Sequence, residues 1–92
     1  DNHPDELKTL LEDLIGGPTT DPAVCTQKLV DHFTPRGLQT QAEYDQATAV
    51  FKWEVPQNYY DQALWNLDYE YVPVQVAVLL IHISHMPEFQ LT

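Results

Sequence analysis

Pro73-Val74-Gln75-Val76-Ala77-Val78-Leu79-Leu80-Ile81-His82-Ile83-Ser84-His85 decides the fold of this chain. The valines at 74, 76 and 78 alternate as in a strand, while Val74, Ala77, Val78 and Ile81 also satisfy helical spacing. Proline suits the first helical position, and a strand would need a partner strand that no other segment offers. The stretch therefore reads as a helix over 73–85, ended by Pro87, with Glu88 to Leu91 packing back as a short turn. Apolar residues ring nearly its whole circumference, the pattern of an element surrounded by others. Its apolar core, Val76 to Ile81, is far shorter than the ~20 residues that cross a bilayer, so no membrane span is expected.

Upstream of this helix the periodicity fails from Pro56 to Val72. That segment gathers Tyr59, Tyr60, Trp65, Tyr69 and Tyr71 among Asn58, Asp61, Asn66, Asp68 and Glu70. It reads as a long, ordered, aromatic-rich loop with room for a short helix over Tyr59 to Trp65, because structureless connections of this length are uncommon in compact domains. Before it, Thr40-Gln41-Ala42-Glu43 forms a capping box that opens a helix over 41–54, with Tyr44, Ala47 and Phe51 as its inward row. This helix ends ahead of Pro56, whose ring pushes the preceding residue out of helical geometry.

Two further helices complete the chain. Asp21-Pro22 supplies a cap and a first helical residue for 22–33, with Cys25, Leu29 and Phe33 in one row and Thr34-Pro35-Arg36-Gly37 closing it. Leu7, Leu10, Leu11, Leu14 and Ile15 line one face of a helix over 7–15. Asn2 or His3 is its cap, Pro4 lies in its first turn, and Gly16-Gly17 stops it. The expectation is an all-α fold, a single domain over 1–92 built as a bundle of about four helices around a buried last helix. Three short neighbours nevertheless cannot enclose that last helix completely, so part of its apolar surface should remain uncovered.

Composition narrows the function. Ninety-two residues, 43% of them apolar, suffice for one core and not two. Acids outnumber bases 14 to 4 for a formal charge of −10, and Lys8, Lys28, Arg36 and Lys52 are too scattered to form a patch. A phosphate backbone would be repelled, so nucleic acid is not an expected partner. Cys25 has no second cysteine to pair with, and its apolar neighbours Val24 and Leu29 mark it as a buried, inert thiol. No phosphate loop, nucleophile elbow, Cys-x-x-Cys or calcium-loop spacing occurs, which argues against an autonomous enzyme and against a cofactor.

Two constellations remain. His82 and His85, three apart, continue to Glu88 as His-x-x-His-x-x-Glu, a donor set of the kind that holds zinc or iron. Pro87 interrupts that register, and the zinc-protease pattern of four-residue histidine spacing with an internal glutamate is absent, so no metal is expected. The second is the aromatic and acidic segment 53–71, because tyrosine and tryptophan pair an apolar face with a polar tip and are enriched where proteins bind something. Trp53, Tyr59, Tyr60, Trp65 and Tyr69 are its candidate ligand-binding residues, with a sugar ring or a partner surface as the occupant. The competing expectation is that these rings cover the core, and their exposure decides between the two.

The closing residues Ile83-Ser84-His85-Met86-Pro87-Glu88-Phe89-Gln90-Leu91, preceded by an apolar helix, resemble the carboxy-terminal end of a bacterial family known as domain of unknown function 1800. The opening run Leu7 to Gly17, followed by a helix of the Asp21 to Phe33 type, is similar to the stretch leading into that end. The resemblance touches about a third of the chain and implies the terminal helical portion of a larger, exported bacterial protein; it carries over no catalytic residue. The start at Asp1 without methionine is likewise expected of a processed or excised piece. On these grounds the chain is expected to be a non-catalytic helical module that packs on another polypeptide, either the rest of a parent chain or a second copy. The alternative is a ligand-binding or hydrolytic domain that uses segment 53–71, on carbohydrate for example.

Overall fold

Local signals place the helix starts in a computed structural model, which describes residues 4–90. The helices are α1 (Pro4–Ile15), α2 (Pro22–Phe33), α3 (Gln41–Lys52), α4 (Gln57–Asp61) and α5 (Val72–Ser84), followed by a 3-10 turn over Pro87–Gln90. No strand occurs among the described residues. At α2 the Asp21 carboxylate accepts from the Ala23 amide at 2.9 Å. At α3 the capping box is complete: Thr40 Oγ1 accepts from the Glu43 amide, and the Glu43 carboxylate accepts from the amides of Gln39 and Thr40. The expected caps of α1, Asn2 and His3, and the closing Leu91 lie outside the described residues.

The helix ends differ from expectation in one informative place. α3 stops at Lys52, not 54, because Trp53 turns to φ 51°, ψ −133° and the Val55 amide closes back on the Lys52 carbonyl at 3.1 Å. This is a type II′ turn with tryptophan at the position that glycine favours. The segment expected to be a loop then opens with α4, which ends at Asp61, well short of Trp65. Ala63 at φ 56° terminates α4, with the Ala63 amide on the Tyr60 carbonyl and the Leu64 amide on the Tyr59 carbonyl, the paired bonds of a Schellman ending.

Packing closes the four longer helices into a ring: α1 touches α2 and α5, and α3 touches α2 and α5. Leu11, Cys25, Leu29, Val30, Ala47, Phe51, Val76, Leu79 and Ile83 fill its interior, with Trp65 and Val72. α5 is thus one wall of the ring rather than an enclosed centre, and this corrects the expectation drawn from its apolar circumference. Val76, Leu79 and Ile83 have no exposed surface, whereas Val74 and Ile81 on the opposite side are 40% and 61% exposed. In the closing turn Phe89 packs on the core and sits 6.5 Å from Phe33, ring centre to ring centre.

Candidate functional site: the outward face of the last helix and its aromatic corner

The spacing of Tyr71, Val74, Val78 and Ile81 puts them on one side of α5, opposite Val72, Val76, Leu79 and Ile83. Tyr71, Val74 and Ile81 are exposed and Val78 half-buried, and α5 carries no aspartate, glutamate, lysine or arginine. At its amino-terminal end this stripe meets Trp53, whose ring lies edge-to-face with Tyr71 at 5.5 Å and 88°. Further edge-to-face contacts join Tyr71 to Tyr69 at 5.4 Å and Tyr69 to Tyr59 at 5.6 Å. Trp53 is 38% exposed while its backbone is held in a region that costs a bulky residue on the order of 1–3 kcal/mol.

Of the five aromatic residues singled out from the sequence, the structure gathers Tyr59, Tyr69 and Trp53 into this string and separates Trp65 from it. Trp65 is fully buried, edge-to-face with Phe51 at 5.9 Å, and its indole N–H donates to Gln75 Oε1 at 2.9 Å. It therefore meets no ligand from solvent. Tyr60 is half-buried beside it; its hydroxyl accepts from Gln75 Nε2 and lies 3.4 Å from the Lys52 carbonyl. Gln75, which sequence reasoning passed over, is the centre of this arrangement. Its signal was being the lone amide in an otherwise apolar helical run.

No family model, no curated protein and no solved structure matches the chain. Its own geometry is the remaining guide.

One concavity of about 670 Å³ is lined by Glu12, Thr19, Thr20, Asn66 and Asp68 and by none of the rings of the aromatic string. Several of its polar groups are engaged: Thr19 Oγ1 accepts from the Asp21 amide, Asn66 Oδ1 accepts from the Asp68 amide, and Lys8 pairs with both Glu12 and Asp68. His82 is half-buried, and its Nε2 has no hydrogen-bond partner among the described residues; His85 is exposed. No group of three or more His, Cys, Asp or Glu side chains gathers around a metal-sized site among the described residues, and the Glu88 side chain lies outside them. No described helix is long and apolar enough to cross a membrane.

Burial pushes the Cys25 thiol up to about 12, with the Asp21 carboxylate adding to the effect. Burial likewise pushes the Tyr60 phenol up to about 12, against the hydrogen bond from Gln75. Each folded-state value exceeds the unfolded one, so the stability involved is fully present below the unfolded value and is lost as pH rises towards 12. The urea midpoint should accordingly fall between about pH 8 and about pH 10.5. A midpoint that held or rose would show that neither group stays protonated in the fold.

Proposed function

We propose that this chain is a non-catalytic helical module that packs on another polypeptide through the outward face of α5. The observation that carries this reading is Ile81, 61% exposed together with Val74 on a helix without a charged side chain. Full burial of an aliphatic side chain contributes on the order of 1.5–3 kcal/mol, and the isolated chain forgoes the share that belongs to the exposed parts of Ile81 and Val74. Contiguous apolar surface of this kind marks interaction sites. The likeness of the chain's close to domain of unknown function 1800 supports a larger, exported bacterial protein as the setting.

The test is to place a photoreactive phenylalanine analogue at Ile81 and, separately, at exposed Lys28 on α2, in the cells that make the protein. One defined polypeptide adduct from position 81 and none from 28 is expected. Equal adducts from both positions, or none from either, would sink the reading. A second reading, carbohydrate binding or hydrolysis by segment 53–71, draws support from the exposed rings of Trp53 and Tyr71, which offer stacking faces. Titration with soluble oligosaccharides, followed on the Trp53 indole resonance, tests it.

A further inference from the structure

We propose that the segment docking on this face is a basic amphipathic one, with aliphatic side chains against Val74, Val78 and Ile81 and lysine or arginine side chains at the rim beside Trp53 and Tyr71. This deepens the reading of α5 as a packing face and rests on it. The argument is charge complementarity around an uncharged stripe. Glu54 follows Trp53 and Glu70 precedes Tyr71, and both are exposed. The two helices that touch α5 add exposed acids of their own, Asp5 and Asp13 on α1 and Asp45 on α3.

Acids outnumber bases around this corner. Lys8 is paired with Glu12 and Asp68, while Lys52, bonded to the neutral Gln57 amide and 5.1 Å over the Tyr60 ring, is a single base beside exposed Glu54 and Glu70. Lys28 and Arg36 belong to α2 and the turn after it, on the side of the ring of helices away from α5. A second copy of the chain would bring a second formal charge of −10 against the first, so self-association is opposed where a cationic partner is drawn in. The rings of Trp53 and Tyr71, set at 88°, add exposed π faces that attract ammonium and, more often, guanidinium groups. Trp53 also occupies a turn position where glycine would relieve the backbone, and such strain clusters at binding sites.

Two synthetic amphipathic helical peptides test the proposal, one of leucine and lysine and its twin with glutamate for every lysine. Binding is read by calorimetry with the whole chain, and its location by the two indole N–H resonances. The lysine peptide should bind and shift the Trp53 resonance while leaving that of buried Trp65 in place. The glutamate peptide should bind at least about tenfold more weakly. Raising salt from about 0.05 to about 0.3 M should weaken the lysine peptide several-fold. Val74→Ser with Ile81→Ser, both at exposed positions, should weaken it at least about tenfold while the chain stays folded. Equal binding of the two peptides overturns the basic partner yet leaves the docking face, whose independent test is the adduct at Ile81. Undiminished binding by the serine variant means charge attraction alone and overturns the proposal, as does an absence of binding by both peptides.

Discussion

Replacing Gln75 with leucine is expected to lower stability by about 2–4 kcal/mol, although leucine preserves most of the volume. The reason lies in what the amide satisfies. Gln75 is fully buried; its Oε1 accepts the Trp65 indole N–H, and its Nε2 donates to the Phe51 carbonyl and the Tyr60 hydroxyl, each at 2.9 Å. The Phe51 carbonyl is one of the last four of α3, which have no partner within their own helix. Leucine would strand a buried indole N–H and a buried carbonyl together, and stranded buried groups cost more than a typical bond contributes. For a chain of this length the midpoint of thermal unfolding should drop by roughly 10–20 °C. Trp65→Phe removes the donor, so the double variant should lose less than the sum of the two single losses, by about 1–2 kcal/mol. Strict additivity would show that the indole bond contributes nothing.

Gly37→Ala should cost about 2–3 kcal/mol, for two separable reasons. Gly37 sits at φ 69°, where any side chain is strained. A Cβ there would also stand 2.6 Å from Tyr44 Oη. That hydroxyl cannot easily give way, because it accepts from the Leu38 amide at 3.0 Å and donates to Asp31 Oδ1 at 2.9 Å, tying α2, the connecting turn and α3 together. In a Tyr44→Phe background the obstructing oxygen is gone, and the same alanine should cost only the backbone share, about 1 kcal/mol. Denaturant midpoints of the four proteins check this. An alanine cost identical in both backgrounds would mean that the hydroxyl is not what opposes the new methyl.

What was legible in the sequence was short-range. The Asp21 cap reaches two residues along the chain and the Thr40–Glu43 box three, so each is complete within a stretch that can be read without knowing the fold. Pro56 marks an end for α3 two residues too late, because the chain turns earlier, at Trp53, against the preference of a bulky residue. The short helix in the aromatic segment lies earlier than the expected Tyr59 to Trp65 for a related reason. Its C-terminal residue in the left-handed region is Ala63, where glycine would have announced the ending.

The starts of α2 and α3, the all-α class and the absence of a strand partner for Val74 to Val78 followed from the sequence, because propensity, capping and periodicity act between residues a few positions apart. Which aromatic rings are buried did not follow. Trp53 and Trp65 stand in the same acidic, tyrosine-rich stretch, and their fates separate only because Gln75, ten residues beyond Trp65, offers an acceptor in the core. The two faces of α5 were settled the same way: apolar residues occupy both, and only the closing of four helices into a ring determines that Val76, Leu79 and Ile83 turn inward while Val74 and Ile81 meet solvent. Burial belongs to the assembled packing, since a side chain loses its water only when elements distant in the chain come to lie against it.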